Sequence, residues 1–330
     1  MSESFCNVAN RNSSVRGIVA FTICSKNFLA SAKTLHQSLM EHHPGSTFYV
    51  FLCDDASDIS VDELPFKLIE INDLGVVNID TMINRYNITE LNTSLKPFAF
   101  LWLATLYPNE MLFYFDPDIL VVSAMDEILS LRADSTVNCI LTPHLLEPAE
   151  FAEMSEYRIL EYGTFNFGFV ALRATSETMR IMSWWSRRLE ERCVIDTAHQ
   201  LFVDQRWGDL FPSFIGGTAI LRHPGYNVAY WNLSQRRLGF EPSRNGRLHW
   251  TVNTEPLRFF HFSGSVLGYP GIFSRHSSQF VLGANEQLDR LFRHYVDLVD
   301  DNGRSYYSTL PYSFSWGGIE GRNEHTPSPA

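Results

Sequence analysis

Asp116 and Asp118 flank Pro117 directly after the apolar run Met111 to Phe115 (MLFYF). Proline fixes its own φ, so the two carboxylates project from one extended turn. Two hard oxygen donors at this spacing suit Mg²⁺ or Mn²⁺, an ion that bridges carboxylates to a diphosphate and neutralises charge as the diphosphate departs. Taken alone, the tripeptide equally suits a turn that caps a strand. A third donor changes the balance: Phe259-Phe260-His261-Phe262-Ser263-Gly264 sets one histidine in an apolar run that ends in a glycine. An isolated histidine of this kind is more often a hydrogen-bonded core residue. Beside two aspartates, its imidazole becomes a third ligand suited to Mn²⁺.

The elements that must position these groups are legible as alternating strands and helices. Ile18 to Ile23 is an apolar strand, followed by a helix with Phe28, Ala32, Leu35 and Leu39 on one face. Thr47 to Cys53 and Lys67 to Ile71 read as further strands. Asn92 to Leu106 repeats helical spacing through Leu95, Ala99, Trp102 and Leu106, and the strand Met111 to Phe115 then runs straight into Asp116. Ligands of open α/β sheets bind beyond the carboxyl ends of strands, where the aspartates sit. Asp126 to Leu131 reads as a short helix, Val137 to Leu141 and Phe167 to Leu172 as strands, and Ile181, Trp185 and Leu189 as one helix face. From Phe202 to Gly264, the abundance of Gly, Pro, Asn and aromatics predicts long loops of the kind that build an acceptor site. Gln287 to Leu298 is a last amphipathic helix, with Leu288, Leu291, Tyr295 and Leu298 in register. The division predicted is a disordered start over 1–16, one domain over 17–300 and an extension over 301–330 whose end, Asn323 to Ala330, is disordered.

With these runs in view, the chain resembles the GT-A glycosyltransferases. YFDPDILV and FFHFSG look like their D-x-D and H-F-x-G signatures, particularly those of the retaining family 8 group. The runs ELNTSLKPF, LTPHL, FNFGFVALR, FVDQRWGDLFP, HPGYNVAYWNL, RFFHFSGS and SRHSSQF resemble, in that order, bacterial GT-A proteins often found beside other glycosyltransferase domains. The resemblance extends over residues 17–315 and implies an α/β, Rossmann-like domain: a mixed, mostly parallel sheet flanked by helices, with the D-x-D at a strand end.

Carried over position by position, the resemblance implies a nucleotide-sugar donor, UDP-linked by preference, held with Mn²⁺ or Mg²⁺ at Asp116, Asp118 and His261. Phe21, Thr22 and Ile23, taken as a loop after the first strand, would hold base and ribose by backbone contacts, although plain core strand is their bland reading. Asn27 would sit near the nucleotide or serve only as a polar residue at a helix start. Lys96 matches a basic position directed at the donor and the aspartates, with a solvated surface lysine as the alternative. Asn166 matches the N-x-G position facing the donor sugar, and Gly168 would permit close backbone approach. Asp204 and Gln205 match a D-Q pair whose acid contacts sugar hydroxyls near the anomeric carbon. One departure stands out: the family follows its H-x-x-G with Lys-Pro-Trp to grip the diphosphate, whereas Ser265-Val266-Leu267-Gly268-Tyr269-Pro270 follows here. Gly264 keeps its place, and Arg275, followed by His276, would supply the missing cation through its forked donors. Trp207, Tyr226, Tyr230 and Trp231 would form a stacking platform for an acceptor sugar unless they are core.

Retention needs no protein base, since the departing phosphate oxygen takes the acceptor's proton; metal neutralisation and positioning then carry the reaction. Inversion needs a base, for which Asp204, Glu147 and Glu150 are candidates. Two rivals compete with a transferase. A silent GT-A domain that scaffolds other enzymes is opposed by the intact Asp116, Asp118 and His261. A sugar nucleotidyltransferase would carry a Gly-rich phosphate loop after the first strand, yet Phe21 to Phe28 (FTICSKNF) holds no glycine.

Composition narrows the partners. A net charge of −11 and 37 acidic against 26 basic residues lack the basic face of a nucleic-acid binder. Five scattered cysteines form no C-x-x-C pair and suit a reducing cytosol. Met1 to Arg16 lacks the apolar core of a signal peptide, and no stretch approaches the ~20 apolar residues of a membrane span. The expectation is a cytoplasmic protein, at most peripheral at the inner membrane face, acting on a glycan, lipid-linked or protein acceptor.

Overall fold

The computed structural model describes residues 17–149, 156–242, 248–267 and 271–314. A seven-stranded sheet is built from β1 (Val19–Cys24), β2 (Thr47–Leu52), β3 (Lys67–Glu70), β4 (Met111–Phe115), β5 (Cys139–Pro143), β6 (Phe165–Arg173) and β7 (Thr218–Ile220). Its order is β7-β5-β6-β4-β1-β2-β3. Only β6 is antiparallel to its neighbours; the remaining pairings are parallel. The mixed, mostly parallel sheet expected from the sequence is therefore present.

Strand β4 lies at the centre, and every residue in it is 2% exposed or less. Its unbroken apolar run follows from burial on both faces, where alternation would leave a polar side chain in the core. Side chains of β1 divide between the two faces. Ala20 and Cys24 pack with α1 (Leu29–His42) and α4 (Glu286–Asp301), while Phe21 and Ile23 pack with α2 (Lys96–Leu106) and α3 (Ser176–Arg192).

Local details depart from the sequence reading for physical reasons. Helix α1 begins at Leu29, so Leu29 joins Ala32, Leu35 and Leu39 in the core and Phe28 remains 38% exposed. The stretch 92–106 is two helices, because Pro97 has no N–H to continue a ladder from the preceding turn. The face of α2 that is buried carries Ala99, Phe100 and Leu103, leaving Leu106 half exposed. Between 202 and 264 the loops also hold a small antiparallel sheet of Leu238–Pro242, Leu248–Val252 and Glu255–Pro256. Helix α4 runs through residue 300, and the chain then returns to the end of β1, where Ser313 Oγ accepts from Lys26 Nζ at 2.8 Å. Cys24, Cys53, Cys139 and Cys193 are free and buried; Cys6, the segment 1–16 and the segment 323–330 lie outside the described residues.

Candidate active site

Asp116 leaves β4 with its N–H donating to Gly168 O at 2.7 Å, so the carboxylates emerge where β4 and β6 part. Beyond Pro117 the chain forms a short strand, Ile119–Val121, antiparallel to Phe259–His261, with His261 opposite Ile119. Phe262 N donates to Asp118 O at 2.9 Å and closes that ladder. Two distant motifs are thereby locked in register: His261 Nε2 lies 3.1 Å from Asp118 Oδ1 and 3.5 Å from Asp116 Oδ2. One ligand atom from each of Asp116, Asp118 and His261 falls within 4.8 Å of the others. Two carboxylates and an imidazole converging in this way fit a small divalent cation.

The surroundings fix each of the three groups. His261 Nδ1 lies 3.2 Å from Asn227 Oδ1, an acceptor that places the ring proton on Nδ1 and turns Nε2 to the carboxylates. Asn227 itself has φ +50, a left-handed conformation that asparagine tolerates. A Cβ on Gly168 would stand 2.3 Å from His261 Cε1, so glycine there admits the imidazole edge against β6. Tyr114, two residues before Asp116 and on the same side of the strand, donates its hydroxyl to Asp116 Oδ1 at 2.5 Å. Burial, reinforced by Asp116, pushes that phenol's pKa well up, so it remains a donor. Burial alone would lower the pKa of His261, but Asp118 and Asp116 outweigh it and raise it. The two carboxylates therefore favour the charged form of the imidazole.

Lys96 is 2% exposed and not a surface lysine. Its Nζ lies 2.7 Å from Asp204 Oδ2 and 3.8 Å from Asp116 Oδ1, donates to Phe167 O at 2.9 Å, and stands 4.5 Å over the Tyr114 ring. Burial pulls its pKa down, but Asp204 and Asp116 more than reverse this. The orientation toward the aspartates expected of Lys96 is present.

The expected donor-sugar residues are placed differently. Asp204 is 1% exposed and ion-paired with Lys96. The Asn166 amide is engaged at both ends: Nδ2 with His144 Nε2 (3.2 Å) and Gln205 Oε1 (3.4 Å), Oδ1 with Gly168 N and Asn227 Nδ2 (both 3.0 Å). Gln205 joins it, accepting from Phe167 N at 3.1 Å and donating to Tyr162 O at 2.7 Å. Asn166 and Gln205 thus share one hydrogen-bonded network beside the carboxylates, with Asn166 half-buried and Gln205 buried.

Phe21, Thr22 and Ile23 lie inside β1, not in a loop after it, and are 2% exposed or less. Beyond the Phe21–Tyr114 pair, β4 no longer accompanies β1, which leaves Asn27 exposed near the strand's end. Arg275 is exposed at the turn between Ile272–Ser274 and Ser277–Val281, its N–H donating to Gly264 O at 2.9 Å. Gly264 has φ +66, and a Cβ there would meet His276 at 2.2 Å, so the His276 ring lies over this glycine. Of the aromatics, Tyr226 and Trp231 are buried packing residues, with Trp231 edge-on to His261 at 5.2 Å; Tyr230 faces His276 at 5.9 Å. Trp207 packs by Trp184 instead. Glu147 is exposed, and Glu150 lies outside the described residues.

Sequence reasoning passed over Tyr114, His144 and Asn227, and named His276 only as the neighbour of Arg275. The two-residue period of β4 points to Tyr114, and the Gly-Tyr-Asn turn hints at Asn227. His144 and His276 carry no local signal.

No family model matches the chain. It is 25% identical over 256 residues to the uncharacterized protein YfnD of Bacillus subtilis (strain 168), covering 74% of this chain and 77% of that one. Among solved structures it is similar to the galactosyltransferase LgtC in complex with donor and acceptor sugar analogues, at 16% identity and a TM-score of 0.48, over 89% of this chain and 98% of LgtC. An active-site mutant of LgtC aligns with a TM-score of 0.50 at 13% identity, over 86% of this chain and 96% of that one. Together with the strand order and the acidic turn after β4, the last likeness identifies the architecture of this chain as the GT-A glycosyltransferase fold.

Proposed function

We propose that the chain is a metal-dependent glycosyltransferase, one domain over 17–300, that moves a sugar from a nucleotide-sugar donor to a glycan, lipid-linked or protein acceptor with retention. The observation that carries this reading is the convergence of Asp116, Asp118 and His261 at the carboxyl end of β4. These residues would hold Mn²⁺ or Mg²⁺, which supplies neutralisation of the charge developing on the leaving diphosphate.

The remaining groups orient and exclude. Asn227 and Gly168 set the His261 ring, Tyr114 and Lys96 hold one oxygen of Asp116, and the Asp204–Lys96 pair keeps a fixed positive charge beneath the carboxylates. Arg275 and His276, beside Gly264, supply the diphosphate contacts that Lys-Pro-Trp makes in the family resembled. In the retaining step the acceptor oxygen bonds to the anomeric carbon as the bond to phosphate breaks on the same face, and the acceptor's proton passes to the departing phosphate oxygen. The burial of Asp204 in its pair with Lys96 supports retention over inversion, because it makes one of the candidate bases a poor one, with Glu147 left exposed.

Calorimetric titration with UDP-, GDP-, dTDP- and CMP-sugars, with and without Mn²⁺, tests the reading. Binding of one nucleotide class, dependent on Mn²⁺ and lost in Asp116→Ala/Asp118→Ala, is expected. A folded protein that binds none of them sinks the proposal.

A further inference from the structure

A cleft of about 760 Å³ lies between the small antiparallel sheet and the start of α4, and none of Asp116, Asp118 or His261 lines it. Its wall includes Arg236 and Arg237, with Ser234, Thr251, Asn253 and Asn285 contributing hydroxyl and amide groups. Arg236 is unusual, being a buried guanidinium at 2% exposure without a carboxylate partner among the described residues. One of its terminal nitrogens, Nη1, donates to Tyr226 O. Its Nε is buried and has no hydrogen-bond partner. Burial pulls the pKa down to about 9, so the group is still a cation at neutral pH.

A buried charge without a counterion is costly, and a fold that keeps one commonly leaves room for the missing partner. With Nη1 engaged and Nε shut off from solvent, Nη2 is the nitrogen left to meet a carboxylate or phosphate oxygen. Glu241 also lines the cleft but is exposed and does not neutralise Arg236. The exposed Ser234 hydroxyl on the wall suits a sugar hydroxyl.

We propose that this cleft binds an anionic sugar group, a carboxylate or phosphate carried on a glycan, through Nη2 of Arg236; the sugar portion rests on the transferase reading. The cleft connects to the metal centre through one segment, since Arg236 bonds Tyr226 O while the next residue, Asn227, orients His261.

The test is titration of the full chain with D-glucuronate, glucose 1-phosphate, inorganic phosphate and neutral D-glucose, followed by calorimetry or ligand-observed NMR. Glucuronate or glucose 1-phosphate is expected to bind saturably, about tenfold or more tighter than glucose. Whichever of the two binds better identifies the anion. Arg236→Met should weaken binding about tenfold or more, with Arg236→Lys between. Because Arg236→Met removes a buried hydrogen bond, exposed Ser234→Trp, which fills the cleft without touching the core, decides the matter. Unchanged binding in Ser234→Trp, equal binding of glucose, or no saturable binding of either sugar anion overturns the proposal. Inorganic phosphate binding as tightly as glucose 1-phosphate overturns its sugar portion. A parallel nucleotide and Mn²⁺ titration separates the two readings. Anion binding without nucleotide binding defeats the transferase and keeps the cleft, whereas nucleotide binding without anion binding defeats the cleft alone.

Discussion

Asn227 Oδ1 faces His261 Nδ1 at 3.2 Å, and the same amide donates to Thr142 Oγ1 at 2.9 Å and to Asn166 Oδ1 at 3.0 Å. The imidazole's tautomer is thus set by a residue held from two further elements of the fold. A ligand fixed this way meets a cation without reorienting.

Replacing Asn227 with Gly keeps the left-handed backbone and deletes only the amide. Metal affinity should fall about 10- to 100-fold while the fold is retained. Mn²⁺ titration followed by electron paramagnetic resonance reads this directly, and an unchanged affinity would show that His261 is oriented by packing alone.

Gly168→Ala places a methyl 2.3 Å from His261 Cε1 and 2.7 Å from Asn166 Oδ1. The backbone of β6 has no room to yield, so the ring must rotate away. A loss of about 1–3 kcal/mol in denaturant unfolding is expected, together with loss of Mn²⁺ binding. Stability lost with metal binding intact would contradict the geometry.

Lys96 and Asp204 are each 2% exposed at the side chain and 2.7 Å apart. Removing one partner strands the other charge, so Lys96→Met or Asp204→Leu should each destabilise by about 3–5 kcal/mol. The double variant should recover much of that in a double-mutant cycle, yet lose activity, because the positive charge beside Asp116 is gone. Additive losses would deny the coupling.

His144 is buried and its pKa is lowered from 6.5 to about 4 by burial. The unfolded chain therefore binds a proton before the folded chain does. Its contribution to stability is complete above pH 6.5 and is lost as pH falls from there through 4. Urea melts across that range should show a steeper acid loss for wild type than for His144→Asn, which keeps a polar partner for Asn166. Identical slopes would place His144's titration in solvent-like surroundings.

Much of this site was legible in the chain itself. Asp116 and Asp118 stand out because an unbroken apolar run before a proline can only be a central strand and its end, and His261 because a polar group in FFHFSG must be satisfied. Burial of the second layer was not legible. Asp204 and Asn166 were expected to face sugar, but whether an amide is engaged or free depends on which strands stack beneath it. That information lies in the pairing of β6 with β4 and in the position of Lys96, not in the local spelling. The small sheet at 238–256 was passed over although Leu248-His249-Trp250-Thr251-Val252 alternates apolar and polar residues, because its strands are short and the Gly, Pro and Asn around them read as loop.

The ladder joining Ile119–Val121 to Phe259–His261 also has a consequence for biosynthesis. Both carboxylates emerge from the ribosome long before their imidazole, and the contact that unites them is of high sequence separation and so forms late. A nascent or truncated chain ending before Phe259 would carry a folded-looking half with an incomplete ligand set. On the proposed reading, a chain that ends before Phe259 would hold its metal through Asp116 and Asp118 alone, and full affinity would mark the finished chain.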